Sequence, residues 1–442
     1  MNQNIYKLNR DNLLNKIKDN SIVILFAGKA IQKTGDQTYP FTPNRNFYYL
    51  TGIKEEEHIL VMSKINGIKS SKLYIKDIDL ELEKWIGKSI RREEASELTA
   101  VDEVKFKSQF DADIHSAIVM KEEINLYLDL EKMSANREGT ISHRFANEIV
   151  SKYPQVRINN VYSKIGELRL KKSQEEIEKI KKAIEITKSG IERLMTEARV
   201  GMKEYELEAY FDFNCKVKGA TWFSFYNNSC SRKNATTLHY VDNNSELKEN
   251  DLILFDLGAE YNCYNADISR TFPVNGKFTE RQKEVYNSVL KVNEEIIKLI
   301  KPGMKYKDVN EKATDLIAEE CIKLGLIDDK KDVIKYYYHS IGHSLGMDTH
   351  DIETPHRDIT FEPGVVFTVE PGIYIEEEGI GIRIEDDILV TENGVINLSS
   401  DIIKSVDEIE EFMKKAQNKI NFIEVIKILL QMQEIDYIIE LL

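Results

Sequence analysis

Cysteine is scarce in this sequence, and the spacing of its four cysteines argues against a disulfide framework. Cys215, Cys230, Cys263 and Cys321 form no CxxC pair and no regular pattern. Small secreted domains are instead held together by many closely spaced cysteine pairs. We therefore expect reduced thiols and a cytoplasmic location.

Long apolar runs are also missing. The longest one near the amino terminus, residues 22–27, is far shorter than the roughly 20 residues that a membrane-spanning helix needs. The first residues lack the basic and then apolar pattern of a secretory signal. The sequence therefore predicts neither a membrane span nor a signal peptide.

Positive charge is in the minority. Lys and Arg number 61 against 75 Asp and Glu, so the formal net charge is −14. No basic stripe with interleaved aromatic residues is present, and we therefore expect neither nucleic acid nor an anionic membrane as a partner. A chain of 442 residues predicts two or more domains with a sizeable core.

Acidic residues, by contrast, occur inside apolar segments of the second half. Residues 252–258 read Leu-Ile-Leu-Phe-Asp-Leu-Gly, which predicts a buried strand that contains Asp256. Residues 266–272 predict a returning strand, so a hairpin would bring Asp267 towards Asp256. A buried carboxylate must be paired, hydrogen-bonded or bound to a metal. For either Asp alone, an Asx turn near a strand end is the simpler interpretation.

Two more acids follow the same pattern. Residues 365–370 predict a strand that ends at Glu370, where a Pro-Gly pair follows. Residues 379–390 alternate apolar and polar side chains, which predicts one strand with Arg383 and Glu385 on the same face. Taken alone, that pair would be interpreted as a structural ion pair on an exposed sheet face.

Three of the eight histidines lie in one short glycine-containing segment, as His339, His343 and His350. Imidazole is the commonest metal ligand in proteins and carries protons near neutral pH. A structural role would explain any one of these residues, but their grouping favours a functional site. With His343, the buried acids offer four carboxylates and one imidazole, a set that suits divalent Mn, Co or Zn.

The order of these ligands resembles that of the pita-bread metallopeptidases. The motifs that carry the resemblance are Phe255-Asp-Leu-Gly258, Ala266-Asp-Ile-Ser-Arg270, Gly342-His-Ser-Leu-Gly346, Glu370-Pro-Gly372 and Arg383-Ile-Glu-Asp386. Within that family, His339 and the segment Asp348-Thr-His-Asp351 resemble the proline-specific branch of Xaa-Pro aminopeptidases (aminopeptidase P) and prolidases. The similarity covers nearly the whole chain, and Tyr39–Gly52 resembles the start of the aminopeptidase P amino-terminal domain.

This resemblance implies an α/β amino-terminal domain over residues 1–170. An α+β pita-bread catalytic domain over residues 171–413 would follow, with a curved antiparallel sheet and pseudo-two-fold helix pairs. Residues 414–442 have apolar side chains at helical spacing and predict an amphipathic tail that docks on its own or a partner subunit. Two Gly-Met-Lys turns, at residues 201–203 and 303–305, indicate a duplicated helical unit, which the resemblance identifies with these helix pairs.

The residues themselves predict several local elements. Ser173 and Glu176 form a capping-box pattern at the start of a long helix. Strands alternate with helical patterns in the first 170 residues, as an α/β domain requires. The predicted helices are 4–18, 112–120 and 141–153, and the predicted strands are 21–27, 47–50, 58–62, 72–75 and 125–130.

Carried over to this sequence, the resemblance implies two bound divalent ions, with Mn as the expected metal. Asp256 would bind one ion and Asp267 and Glu385 would bridge both. His343 and Glu370 would complete the other ion.

The resemblance also implies roles around the substrate. Glu370 would carry a proton to the leaving imide nitrogen, and His239 would contact the substrate near the scissile bond. His350 and Arg383 would line the proline side of the pocket, and His339 would support the same wall.

The implied activity is release of the first residue from peptides with proline in the second position, by a homodimer or a larger homo-oligomer. Proline fixes its own φ angle and has no amide hydrogen, so a dedicated pocket is needed. Prolidase, which acts on Xaa-Pro dipeptides, is the main alternative. Creatinase shares the fold but lacks the complete ligand set, and a non-catalytic peptide-binding module is the remaining alternative.

Overall fold

The computed structural model describes residues 4–418, apart from 132, 133, 135, 137, 239 and 353–358. The chain forms two compact units, Met1–Arg169 and Leu170–Leu442. Most of the predicted tail at 414–442 lies outside the described residues, and its docking therefore stays a prediction. Among the described helices, none combines the length and the apolar character that crossing a bilayer requires.

A six-stranded mixed sheet forms the centre of the first unit, in the order β6-β5-β4-β1-β7-β8. Strand β4 is antiparallel to both of its neighbours, and the other adjacent pairs are parallel. Along the chain the elements are α1 (Ile5–Lys16), β1 (Ser21–Phe26), β2 (Gln32–Thr34), β3 (Gln37–Thr38), α2 (Arg45–Thr51), β4 (Ile59–Ile65), β5 (Ile68–Ile75), α3 (Leu80–Ile86), α4 (Arg92–Thr99), β6 (Glu103–Phe106), α5 (Phe110–Ile118), β7 (Ile124–Leu128), α6 (Ile141–Lys152), β8 (Val156–Asn160) and α7 (Tyr162–Leu170).

One predicted element of this unit is wrong. Residues 47–50 were predicted as a strand, but they lie in helix α2. The Asn44 side chain accepts a hydrogen bond from the Phe47 amide at 2.8 Å, and Gly52 ends the helix with φ +74°. A short, fully buried apolar run has no periodicity that separates a strand from a helix. The other strands and helices predicted for this unit are confirmed to within a few residues.

The second unit combines antiparallel strand pairs with long helices. Its sheets have the orders β10-β11-β14, β13-β12-β9, β15-β18-β19 and β16-β17. Along the chain the elements are α8 (Gln174–Glu197), α9 (Glu204–Val217), β9 (Trp222–Phe223), β10 (Asn228–Ser231), β11 (Leu252–Leu257), β12 (Ala259–Tyr261), β13 (Tyr264–Asn265), β14 (Ile268–Pro273), α10 (Glu280–Leu299), α11 (Tyr306–Lys323), β15 (Val366–Val369), β16 (Gly372–Ile375), β17 (Ile380–Arg383), β18 (Asp386–Thr391) and β19 (Gly394–Asn397). The chain is helical again over 406–418.

The helices of this unit follow the predicted pattern. At the start of α8, Ser173 donates its amide to the Glu176 carboxylate at 2.8 Å and accepts the Glu176 amide at 3.4 Å, which confirms the capping box. The pairs α8–α9 and α10–α11 are joined by turns of one geometry, with φ +90° at Gly201 and +91° at Gly303. The residue two positions after each glycine makes an isolated antiparallel bridge. The duplicated helical unit is therefore confirmed.

The single strand predicted over residues 379–390 is wrong. It is divided into β17, which pairs with β16, and β18, which pairs with β15 and β19. Between them the backbone leaves the sheet at Ile384 and Glu385, and the Glu385 amide donates to the Ser269 carbonyl at 3.1 Å. Alternation of side chains persists through such a change of partner strand, so the pattern alone does not reveal it.

We expect His58, the residue before β4, to make this protein sensitive to acid. The side chain is 1% exposed, and burial lowers the pKa of the imidazole to about 4. In the unfolded chain the pKa of His58 is about 6.5. Below that pH the unfolded chain binds a proton at His58 that the folded chain does not bind. The contribution of His58 to stability is therefore complete above pH 6.5 and falls as the pH drops towards 4, by about 2 kcal/mol at pH 5.

The measurement is urea unfolding of the full chain at pH 7.5 and at pH 5. His58→Gln should lose about 2 kcal/mol less than wild type between these pH values, while the largely buried His339, whose pKa is about 3, contributes a similar loss that this variant keeps. The matched control is His115→Gln, because His115 is exposed, and it should keep the wild-type loss. Equal losses in both variants would contradict the role of His58.

Candidate metal centre

The hairpin of β11 and β14 brings the first two predicted ligands to one end of a sheet. In the antiparallel register, Asp256 lies opposite Ser269 and Leu257 opposite Ile268. Asp267 immediately precedes β14 and therefore lies next to the last residue pair of these two strands, Leu257 and Ile268. The predicted hairpin is confirmed, with the short strands β12 and β13 in its connection.

Three of the predicted ligands form a compact group. Potential ligand atoms of Asp267, His343 and Glu385 all lie within 4.8 Å of one another. The His343 Nε2 atom is 3.3 Å from a carboxylate oxygen of Asp267. Two buried carboxylates and an imidazole at this separation offer the donor atoms that a divalent transition metal prefers.

Glu370 and Asp256 join this group through shared contacts. A Glu370 carboxylate oxygen lies 3.6 Å from the His343 Nε2 atom. The Ser269 hydroxyl lies between two acids, 3.2 Å from Asp256 Oδ1 and 2.7 Å from Glu385 Oε2. The fold thus brings all five predicted ligands together.

The electrostatics of the group fit a bound cation. Burial, with added repulsion from Asp256 and Glu370, raises the pKa of Asp267 well above its ordinary value. Burial and the Asp267 carboxylate do the same to the pKa of Glu385. Burial followed by repulsion from Glu385 raises the pKa of Glu370 to about 8. Divalent ions would relieve this repulsion and keep the acids ionised, as metal ligands must be.

Arg383 places a basic side chain against this acidic group. Its Nη2 atom is 2.6 Å from Asp256 Oδ2, and its Nε atom donates to the Ser269 hydroxyl at 2.7 Å. The interpretation of Arg383 and Glu385 as an exposed ion pair is wrong, because they are only 4% and 2% exposed. Arg383, the last residue of β17, contacts Asp256 instead.

Tyr374 connects Arg383 to His339, and the sequence interpretation missed it. The Tyr374 hydroxyl accepts from Arg383 Nη1 at 3.1 Å and lies 2.9 Å from His339 Nε2. His339 Nδ1 lies 2.8 Å from the Ser340 carbonyl, which can only accept, so Nε2 is left to accept the tyrosine proton. Burial and the Arg383 charge lower the pKa of His339 to about 3. A tyrosine inside an otherwise apolar strand after Glu370 was the available signal.

His350 lies beside His343, with ring centroids 4.2 Å apart in an edge-on arrangement. Its loop is fastened by a buried ion pair between Lys172 and Asp351, at 3.0 Å. His239 is outside the described residues, and its place at the site therefore stays a prediction. Of the predicted substrate-side residues, the structure brings His339 and Arg383 together through Tyr374 and sets His350 against His343.

Comparisons with known proteins agree with this geometry. The model of metallopeptidase family M24 matches residues 178–392, and the model of the aminopeptidase P amino-terminal domain matches residues 6–127. The Xaa-Pro aminopeptidase of Escherichia coli is 32% identical over 444 residues, covering 94% of this chain and 98% of that protein. The Xaa-Pro dipeptidase of Rattus norvegicus is 29% identical over 470 residues, covering 92% and 93% respectively.

Solved structures show the same relationship. Aminopeptidase P from E. coli with the inhibitor Pro-Leu superposes with a TM-score of 0.86 at 32% identity, over 94% of this chain and 98% of that one. A solved structure from Bacillus anthracis has a TM-score of 0.91 at 47% identity, over 94% and 99%. The predicted fold class is confirmed, and the chain belongs to metallopeptidase family M24, in the branch that carries the aminopeptidase P amino-terminal domain.

Proposed function

We propose that this protein is a two-metal Xaa-Pro aminopeptidase, which releases the first residue of peptides that have proline in the second position. The observation that supports this most directly is the convergence of four carboxylates and His343 on one buried site. Xaa-Pro aminopeptidases of E. coli and Homo sapiens align with 94% and 93% of the chain. The substrate is therefore a peptide with a free Xaa-Pro amino terminus.

The residues proposed to hold two divalent ions are Asp256, Asp267, His343, Glu370 and Glu385. Mn is the proposed metal, with Co and Zn as alternatives, because carboxylate-rich sites with one imidazole accept all three. Two bound ions supply an activated water and polarise the substrate carbonyl. The raised pKa values of Asp267 and Glu385 support this proposal. They show that the ionised form of these acids is unfavourable without a cation, and bound divalent ions would stabilise that form.

Glu370 is proposed to move the proton that the reaction requires. Water adds to the carbonyl carbon, the bond to proline breaks, and the proline nitrogen must gain a proton to leave as an amine. A carboxylate at this position can accept a proton from the attacking water and return it to the leaving nitrogen. Its 3.6 Å approach to His343 supports a position inside the ligand group.

The proline side of the pocket is proposed to be formed by His350, Arg383 and His339. The connection through the Tyr374 hydroxyl supports this, because it orients the guanidinium and keeps the His339 imidazole neutral. His239 is proposed as a donor to the carbonyl oxygen as negative charge develops there. Such a donor contributes roughly 3–4 kcal/mol to catalysis.

A cytoplasmic location and a homodimeric or larger assembly are also proposed. The location is supported by the four cysteines, which are all buried free thiols in the structure. We propose neither nucleic acid nor a membrane as a partner, in keeping with the net charge of −14.

The activity is tested with an Arg-Pro-Pro tripeptide beside an Ala-Pro dipeptide. We expect cleavage of the tripeptide after its first residue, loss of activity with EDTA, and recovery with Mn²⁺. The 29% identity to a dipeptidase makes the dipeptide the necessary comparison. Cleavage of the dipeptide alone would replace the proposal by prolidase, and cleavage of neither would overturn both.

Removing a ligand should abolish turnover without unfolding the chain. We expect Asp267→Ala and Glu370→Ala to lower kcat at least about 1,000-fold, with an unchanged far-UV circular dichroism spectrum. Asp267→Ala should also bind less Mn²⁺ by elemental analysis. Asp242→Ala is the matched control, because this acid of the same unit is exposed. Near wild-type turnover in either ligand variant would remove the assignment.

The acids should also make metal-free stability depend on pH. Glu370 has an unfolded pKa of about 4.3 and a folded pKa of about 8, so the folded chain binds the extra proton. Its contribution is complete below the unfolded pKa and is lost as the pH rises through 8. Bound Mn²⁺ displaces that proton, so the stabilisation by Mn²⁺ should grow over the same window.

Melting temperatures between pH 6.5 and 8, with EDTA or with Mn²⁺, test this expectation. Metal-free wild type should lose stability with rising pH more steeply than metal-free Glu370→Gln, which cannot ionise at this position. Identical slopes for the two proteins would show that Glu370 does not titrate in this range.

A further inference from the structure

Asn228 is a buried asparagine at the first position of strand β10, where its residue type is uncommon. The side chain is only 3% exposed, so its amide must find hydrogen-bond partners inside the protein. In the antiparallel pairing of β10 with β11, Asn228 lies directly opposite Asp256. Residues opposite one another in such a pair project from the same face of the sheet. The Asn228 amide is therefore placed beside a proposed metal ligand.

The Asn228 side chain joins two parts of the proposed site. Its amide nitrogen donates to Asp256 Oδ2 at 3.2 Å and to the Leu238 carbonyl at 3.4 Å. An amide nitrogen carries two hydrogens, so it can serve both acceptors at once. Leu238 immediately precedes His239, which is proposed to contact the substrate. Asn228 thus links a metal ligand to the segment that carries a substrate contact.

Two more side chains hold Asp256, and neither can replace Asn228. Ser269 has a single hydroxyl hydrogen, and its oxygen lies closer to Glu385 Oε2, at 2.7 Å, than to Asp256 Oδ1, at 3.2 Å. Arg383 is 2.6 Å from Asp256 Oδ2, but its positive charge repels a cation bound at the same carboxylate. The Asn228 amide is neutral, and it can therefore orient the carboxylate without opposing a bound ion.

The chain is anchored on both sides of His239. Before this residue, Leu238 packs against a small apolar cluster of the sheet, and its carbonyl accepts from Asn228. After it, the Tyr240 hydroxyl donates to Glu204 Oε2 at 3.2 Å, and Glu204 is itself fully buried in the first turn of α9. Asn228 is the anchor that also reaches Asp256. A shift of its amide would therefore move the ligand and the His239 segment relative to each other.

We propose that Asn228 is a positioning residue of the metal centre. It orients Asp256 towards the bound ion and holds the His239 segment at a fixed place beside that ligand. The proposal rests on the two-metal function proposed above. Hydrogen-bond partners of metal ligands set the orientation of those ligands and contribute to metal affinity. An asparagine that only stabilised the strand would leave the affinity for metal unchanged.

The first test is the affinity of the metal-free full chain for Mn²⁺, measured by isothermal titration calorimetry. We expect Asn228→Ala to bind Mn²⁺ about 10 to 100 times more weakly than wild type, because Asp256 loses a donor that orients it. Asn228→Leu keeps most of the side-chain volume and should weaken binding to the same extent. Agreement between the two variants separates the lost hydrogen bonds from the effect of a cavity.

Asn227→Ala is the matched control. Asn227 is the preceding residue and is similarly buried, at 4% exposure. Its amide donates to Asp212 of α9 at 2.9 Å, so the variant loses a buried hydrogen bond of the same kind. Its affinity for Mn²⁺ should equal that of wild type. Melting temperatures of the metal-free proteins show the loss of stability in each variant separately from the loss of metal.

The second test measures the link to His239 through kcat for the Arg-Pro-Pro tripeptide at saturating Mn²⁺. Asn228→Ala should lower kcat about tenfold, because displacing a positioned group by even 1 Å is costly. In a His239→Ala background, the same substitution should lower kcat less than about threefold, because the group that Asn228 positions is then missing.

Any of three results would overturn the inference. They are Asn228 variants that bind Mn²⁺ as tightly as wild type, an Asn227→Ala variant that loses as much affinity as Asn228→Ala, and an equal kcat loss from Asn228→Ala with and without His239. In each case, a wild-type chain that binds Mn²⁺ and cleaves the tripeptide leaves the proposed function standing. A wild-type chain that binds no Mn²⁺ would overturn the proposed function, and this inference with it.

Discussion

The second unit is organised around acidic side chains that are buried together in the candidate metal centre. Two arginines lie against this charge. Arg270 pairs with Asp386 at 2.8 Å and donates to the Glu385 carbonyl at 2.6 Å, which fixes the backbone behind the ligand group. Arg383 forms an ion pair with Asp256. Divalent ions would stabilise the remaining acids, because a buried charge without a partner is strongly unfavourable.

This requirement explains local choices in the chain. Strands that carry ligands must approach one another closely, and glycine permits this at two points. A side chain at Gly258 would place its Cβ 1.9 Å from the Ala266 carbonyl, beside Asp267, and one at Gly342 would place it 2.0 Å from the Thr368 carbonyl, beside His343.

The sequence was sufficient for features that depend on local chemistry. Acids inside apolar runs predicted the ligand group, and the Ser173 capping box predicted the start of α8. The sequence was insufficient for features that are determined by tertiary contacts. The buried run at 47–50 has no periodicity, the contact of Arg383 with Asp256 depends on residues far apart in the sequence, and Tyr374 acquires its role only through packing between Arg383 and His339. The proposed domain boundaries and the roles of the site residues stay predictions.

The duplicated helical unit has a consequence for the order in which the proposed ligands are synthesised. The first half of the second unit supplies the acids of the β11–β14 hairpin, and the second half supplies those that flank β15 and β18. A ribosome that has passed Gly303 has made only Asp256 and Asp267 of the five proposed ligands. The proposed ligand set is therefore complete only after Glu385 has been translated.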